Sequence, residues 1–426
     1  MSNYSVAKEN FLKGNYDARL KRVYVTEDAI KAQYDRYIEL SKTFSELYDA
    51  EREIRFFSAP GRSEVGGNHT DHNHGKVLAA GINLDAIAAA SKNTENIVRV
   101  KSQGYPMDVV DLSDLSVMEN EKGTSPALVR GVCQGFLNAG YKIGGFDACT
   151  ASMVLSGSGL SSSAAYEVLV GTMLNFLYND GKVDPVTIAK IAQYAENEYF
   201  GKPCGLMDQM ACSVGSFVNI DFKDPQNPII EEVKFDFASC GHALCIVDTK
   251  GSHADLTDEY GFIREEMESV AHHFGKSVLR EVPETEFCSE IAELRKDVGD
   301  RAVLRAMHFY AENERVEKEV KALRAGDFEG FKAVVLESGA SSYMYNQNVF
   351  SVKKIKEQPV SLALALSQKV LEGRGAWRVH GGGFAGTIQA FVPLDLLEEY
   401  KSTIEGVFGE GACYVLSIRP IGGAEI

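Results

Sequence analysis

The feature that most restricts this chain is the segment Ser156-Gly-Ser-Gly-Leu-Ser-Ser-Ser-Ala-Ala165, which follows a strand-like run and leads into a strongly apolar stretch. From Ser161 to Asn179 the residues Ala165, Val168, Leu169, Met173, Phe176 and Leu177 recur three and four apart, which predicts a core helix opening in a Gly/Ser loop. Glycines let backbone N–H groups approach an anion, serine hydroxyls add donors, and a helix start carries partial positive charge. The segment reads as a phosphate cradle over Gly157, Ser158, Gly159, Leu160, Ser161, Ser162 and Ser163, with an ordinary Gly/Ser helix cap as the alternative. No G-x-x-x-x-G-K-[ST] run occurs, so a P-loop is excluded. The run Gly381-Gly-Gly383-Phe-Ala-Gly386 matches a dinucleotide fingerprint only nominally, because a strand-like Thr387–Pro393 follows where that fold needs a helix.

A length of 426 residues points to two or three folded units, and 45% hydrophobic with 24% charged residues is the composition of a folded globular protein. Sixty acidic against 44 basic residues give a net charge of −16, which disfavours nucleic acid and anionic membranes as partners. The N-terminus has no basic stretch followed by an apolar core, and the uncharged span 148–166 carries six serines, so neither a secretory signal nor a membrane helix is expected. Eight dispersed cysteines without a C-x-x-C pair suit reduced thiols in a cytoplasm.

Residues 27 to 49 show a helical pattern with a polar face, read as a docking or peripheral helix. Strand-like runs at 54–58, 77–90, 97–101 and 146–155 precede the core helix, and a second helix is expected over 185–200. The breaker cluster 222–228 and a strand ending near Phe237 place a domain boundary near residue 238. Beyond it, helices (255–274, 299–324, 327–338, 357–371 and 394–407) alternate with strands (243–248, 387–392 and 414–418), an α+β arrangement.

Two further polar clusters stand out. Gly61-Arg62 through Asn68-His-Thr-Asp71-His-Asn-His74-Gly75 follows a strand, where ligand chemistry commonly sits; its histidine spacing matches neither H-E-x-x-H nor a zinc finger. The run Gly201-Lys-Pro-Cys-Gly-Leu-Met-Asp208-Gln209 puts an aspartate near a helix start, which taken alone is a cap.

In chain order these segments resemble the three motifs of the galactose, homoserine, mevalonate and phosphomevalonate (GHMP) kinase superfamily, and most closely the galactokinase family. The signature G-R-V-N-L-I-G-E-H-T-D-Y-N-x-G aligns without gaps on Gly61 to Gly75, the phosphate motif on Gly157 to Ala165 and the third glycine motif on Gly381 to Gly386. The string P-C-G-x-M-D-Q falls on Pro203 to Gln209, and the resemblance runs from about Phe44 to the C-terminus. It implies a two-lobed α+β GHMP kinase fold, with a ribosomal protein S5 domain 2-like N-terminal lobe, a ferredoxin-like C-terminal lobe and the active site in the cleft between them. The divisions expected are a helical extension over 1–43, a sugar- and phosphate-binding lobe over 44–238 and a second lobe over 239–426.

The resemblance further implies ATP and Mg²⁺, with the γ-phosphoryl passing to the anomeric hydroxyl of a hexose. Asp208 resembles the catalytic aspartate and Arg62 the arginine beside it; Ser162 or Ser163 with Glu196 resembles the magnesium ligands. Asn68, His69, Asp71, Gly205 and Tyr260 fall at substrate-side positions. The chain departs from the signature at Ser63-Glu64 for Val-Asn, Val65-Gly66 for Leu-Ile, Asn68 for Glu and His72 for Tyr. An amide supplies a donor that an ionised carboxylate cannot, so Asn68 is expected to allow a uronic acid or an N-acetylated hexosamine beside galactose. A sugar- and ATP-binding regulator of the same shape and a kinase for a non-sugar alcohol are the competing readings. A monomer in the cytoplasm is expected.

Overall fold

The computed structural model describes residues 3–154, 159–251 and 256–426, so the expected cradle residues Gly157 and Ser158 lie outside the described residues. The chain divides into two compact units that do not follow sequence order: residues 1–62, 80–216 and 418–426 form the first, and 63–79 with 217–417 form the second. The single boundary expected near residue 238 therefore lies inside the second unit. The reason is local. The strands β1 (Arg55–Gly66) and β2 (Lys76–Lys92) are long enough, at 12 and 17 residues, to carry residues of both units, and the turn between them belongs to the second.

In the first unit, helices α1 (Tyr4–Leu12), α2 (Asp17–Tyr24) and α3 (Glu27–Leu47) precede β1. The Thr26 side chain accepts from the Ala29 N–H and starts α3. The strands β3 (Ile97–Ser102), β4 (Met107–Asp111) and β5 (Phe146–Ser152) follow β2, and the sheet path is C-terminal strand Ala424–Glu425, β1, β2, β5, β3, β4. Only β3 and β5 run parallel among the registered pairs, with Val100 opposite Ala148. Helices α4 (Ser125–Asn138), α5 (Ser162–Tyr178), α6 (Pro185–Tyr194) and α7 (Met207–Val214) complete the unit, and a π-helical turn over Ala195–Phe200 extends α6. The core helix forms one residue inside the expected limits at each end.

The N-terminal helices are not peripheral. Phe11 and Tyr37 stack with ring centroids 5.4 Å apart, Phe56 of β1 meets Phe11 edge-on at 5.2 Å, and all three are buried with Ile87, Cys149 and Ile426 in one core. Asp85, fully buried on β2, accepts from Tyr24 Oη (2.6 Å) and pairs with Arg36 (2.8 Å) and Arg419 (3.4 Å). Burial pushes this carboxyl up, but the two guanidinium groups and the hydroxyls of Ser58 and Tyr24 outweigh it and keep its pKa below the ordinary value. A polar face in the sequence hid this role because one of its charged residues, Arg36, is turned inward onto Asp85.

The second unit contains the hairpin β6 (Phe217–Asp221) and β7 (Ile229–Val233), then β8 (His242–Asp248). Five helices follow: α8 (Thr257–His273), α9 (Glu284–Asp297), α10 (Asp300–Arg324), α11 (Phe328–Ser341) and α12 (Pro359–Leu371). The strands β9 (Ala376–His380) and β10 (Thr387–Pro393), helix α13 (Leu397–Phe408) and β11 (Cys413–Leu416) end the unit. The sheet is antiparallel in the order β11-β8-β10-β9, with Ala390 opposite both Cys245 and Trp377. One core joins Val247, Ile388 and Ala390 to Val360, Tyr400 and Ile404 of α12 and α13. Another joins α8, α9 and α10 through Ile263, Met267, Phe287 and Phe309. Helix α9 has no counterpart in the sequence reading, because only Phe287 and Leu294 of its residues are buried and its apolar stripe is too thin to register.

Candidate active site

The phosphate-side residues gather in the first unit. Gly61 lets β1 pass close to the cradle, since a Cβ there would lie 2.9 Å from the Leu160 carbonyl oxygen and from Val154 Cγ1. The next residue, Arg62, donates from its backbone N–H to Leu160 O (3.1 Å) and from Nη1 to Gly159 O. Its Nε lies 2.7 Å from Oδ1 of Asp208, in the first turn of α7. The Ser161 hydroxyl donates to the other oxygen, Oδ2. Ser161 stands at the N-cap of α5 in the left-handed region (φ 59°) and makes no side-chain cap bond, so a strained backbone turns its hydroxyl from capping to the aspartate.

Asp208 keeps 32% of its side chain exposed while Arg62 keeps 11%. The surrounding protein pushes the Asp208 pKa up, but Arg62, by charge and hydrogen bond, and Ser161 more than offset this and hold the carboxyl ionised below its ordinary range. The result is an anion with one edge fixed by a guanidinium and still reachable from solvent. It can accept or orient a hydroxyl proton.

Beside it lies a second carboxylate cluster. Glu196, buried in the π-helical turn, accepts from Ser163 Oγ (3.1 Å) and Lys202 Nζ (3.1 Å) at Oε1 and from Gln209 Nε2 (2.6 Å) and Cys204 Sγ (3.3 Å) at Oε2. Gln209 Nε2 also reaches Oε2 of Glu167 (3.2 Å). Burial, then the neighbouring Glu196 charge, drives the Glu167 pKa well up. Sequence reasoning missed Glu167, Lys202 and the Gln209 side chain. A signal was present: Glu167 is the lone charged residue in the 17-residue helix α5.

From Ser63 onward, the signature residues of β1 and the following turn belong to the second unit. His69 takes a left-handed backbone (φ 58°) and places Nε2 2.9 Å from the Gly382 carbonyl. Burial lowers its pKa, and a neutral ring bonded to a carbonyl carries its proton on Nε2. Tyr260 donates to Gly383 O (3.0 Å) and packs edge-on against Phe384. Glycine is required beneath them: a Cβ on Gly382 would sit 2.4 Å from the Tyr260 ring, and one on Gly383 2.0 Å from Asn348 O. Asp71 opens the 3₁₀ turn Asp71–Asn73. Gly205, in the first unit, is exposed just ahead of α7.

Asn68 departs from expectation. It is fully buried, and its amide is spent inside the protein rather than offered to a substrate carbonyl. Nδ2 donates to Glu64 Oε1 (2.9 Å) and Gly381 O (2.7 Å), while Oδ1 accepts from Asn348 Nδ2 (2.8 Å) and Ser342 Oγ (3.4 Å). Apart from Glu64, four positions away, the partners lie 274 to 313 positions away in sequence, out of reach of any local pattern.

This arrangement of strands, cradle helix and arginine–aspartate pair is the GHMP kinase fold. Residues 127–216 match the GHMP kinase N-terminal domain, and residues 42–92 match the galactokinase galactose-binding signature. The solved structure of Lactococcus lactis galactokinase complexed with galactose superposes with a TM-score of 0.73 at 24% identity, covering 90% of this chain and 98% of that one. Methanococcus jannaschii mevalonate kinase gives 0.60 at 13% identity, over 87% and 99%. The galactokinase of Streptomyces coelicolor is 32% identical over 372 residues, covering 87% of this chain and 92% of that protein. The Clostridium tetani galactokinase is 30% identical over 381 residues, with the same coverage. The chain belongs to the galactokinase family, and it is a phosphotransferase acting on a sugar hydroxyl.

Proposed function

We propose that this protein transfers the γ-phosphoryl of ATP to the anomeric hydroxyl of galactose or a galactose-like hexose, releasing ADP and the sugar 1-phosphate. The observation that carries the reading is the Arg62–Asp208 pair at 2.7 Å, with the carboxylate held ionised and open to solvent. Asp208 orients the acceptor hydroxyl and takes its proton as the bond to phosphorus forms. Arg62 keeps that carboxylate charged and offsets the charge that develops on the equatorial phosphoryl oxygens. Backbone N–H groups at the start of α5 and the hydroxyl of Ser162 hold phosphate oxygens. His69, Asp71 and Tyr260 contact sugar hydroxyls, the neutral His69 as an acceptor at Nδ1.

Mg²⁺ suits the donors present: Ser163 and Glu196 bring a hydroxyl and a carboxylate oxygen to 3.1 Å, and octahedral Mg²⁺ needs only one or two protein oxygens beside phosphates and water. Lys202, whose side chain is 64% exposed, supplies positive charge at Glu196 Oε1, which it would have to yield to the metal. When bound, the metal would neutralise phosphate charge. Steady-state ADP release with Mg-ATP and a panel of hexoses tests the function: turnover of galactose-configured sugars is expected, whereas binding without turnover would make the protein a regulator.

A further inference from the structure

The turn that carries His69 is held by a helix that no motif in the sequence marks. Helix α10 turns His308 and, one turn later, Glu312 and Asn313 onto residues 67–76. Glu312 Oε1 accepts the backbone N–H groups of Gly67 (3.2 Å) and Asn68 (3.3 Å), and Asn313 Oδ1 accepts that of Lys76 (2.7 Å). His308 Nε2 lies 2.9 Å from the Asn68 carbonyl oxygen, and its Nδ1 lies 2.9 Å from Ser341 Oγ. His308 and Glu312 are fully buried, and helix and turn belong to the same unit.

The bond to the Asn68 carbonyl has the most consequence, because that carbonyl belongs to the peptide that precedes His69. The φ angle of His69 is measured from this peptide plane, and at 58° it lies in the left-handed region, where a residue other than glycine is uncommon. Such a conformation persists where its surroundings over-determine it. Here both ends are held: the peptide by His308, and the His69 ring by the Gly382 carbonyl 2.9 Å from Nε2. A carbonyl oxygen can only accept, so His308 carries its proton on Nε2, and the Ser341 hydroxyl, donating to Nδ1, selects that tautomer. Burial pushes the His308 pKa down to about 4, so the ring is neutral at neutral pH. Asn68 and Thr70 on either side of His69 are fully buried, whereas His69 is half-buried and is the one of the three that solvent reaches.

We propose that His308 is a positioning residue for sugar recognition: by holding the Asn68 carbonyl it keeps the His69 backbone left-handed and so aims the His69 ring. The proposal rests on the sugar-kinase reading above, in which His69 meets a sugar hydroxyl. Asn313, at the far end of the turn, fastens the same loop without touching the peptide that sets His69.

Steady-state kinetics at a temperature well below every melting point, with galactose and ATP varied separately, test it. His308→Phe keeps a ring in place but offers no donor. The galactose KM should rise about 10-fold, the scale on which a strained backbone relaxes, while the ATP KM stays within about 2-fold. His308→Gln, whose amide nitrogen can donate from near the position of Nε2, should bring the galactose KM back to within about 3-fold of the parent chain. Ser341→Ala leaves the histidine in place but frees its tautomer, and should raise the galactose KM about 3-fold, which keeps the test decisive if H308F does not fold. Asn313→Ala is the control, expected to lower the melting temperature without moving the galactose KM. A merely structural role would give KM values for galactose and ATP that change together or not at all, and either result would overturn the proposal. So would a loss in H308Q as large as in H308F. If the parent chain turns over no sugar, the kinase reading fails on its own. Crystal structures of the parent chain and of H308F or S341A then decide the positioning claim: His69 should leave the left-handed region in the variant, and an unchanged φ would overturn it.

Discussion

Two arginine–carboxylate pairs start from positions two residues apart on β1, and they differ in one respect. Arg62 meets Asp208 at 2.7 Å with 32% of the carboxylate side chain exposed, whereas Glu64 meets Arg378 at 2.6 Å with exposures of 9% and 0%. The charges and distances are nearly the same. What separates them is access: the first carboxylate can exchange a protein partner for a substrate hydroxyl, and the second cannot. A buried ion pair adds little net stability but is costly to break, which suits architecture; a half-open pair is cheap to rearrange, which suits chemistry.

The largest effect expected from this contrast is at the open pair. Asp208→Asn should lower turnover by about 10³-fold, within the range for removing a positioned general base, while ATP binding followed by calorimetry persists. A near-normal rate would erase the distinction. At the sealed pair, Arg378→Met strands the Glu64 charge and should cost about 3–5 kcal/mol in denaturant unfolding, with the folded fraction retaining measurable turnover. An unchanged unfolding midpoint would mean that Glu64 is already neutralised by another route.

The smallest effect sharpens the comparison. Ser161→Ala removes one of the bonds that depress the Asp208 pKa, so that pKa rises toward its ordinary value. The proposed mechanism requires the ionised form, so the acid limb of the kcat/KM profile should move to higher pH, by less than one unit, with a modest loss of rate at neutral pH. A shift in the opposite direction would mean that the hydroxyl serves the protonated acid.

Much of the open pair was readable in the sequence, because each partner sits in a short motif whose residue types carry the chemistry. Arg62 follows a glycine, Asp208 opens a helix, and the serine run starts α5 within one residue of the expected position. The sealed pair was not readable. Glu64 and Asn68 looked like loosened substrate contacts until their partners Arg378, Asn348 and Gly381 came into view from far along the chain. The core stripe of α5 was evident from spacing, yet Glu167 inside it gave no hint that Gln209 would bridge it to Glu196. Local pattern reports which face an element buries. It says little about which distant polar group completes a buried network.

The docking of the first three helices carries a practical consequence. A shortened chain that lacks α1, α2 and α3 would bare the Phe56 ring and strip Asp85 of Tyr24 and Arg36, leaving a carboxylate in the sheet with Arg419 as its remaining cationic partner. Trimming the leading segment would thus act as a core lesion, and the front of this polypeptide should be treated as structural material whenever the protein is re-engineered or fused.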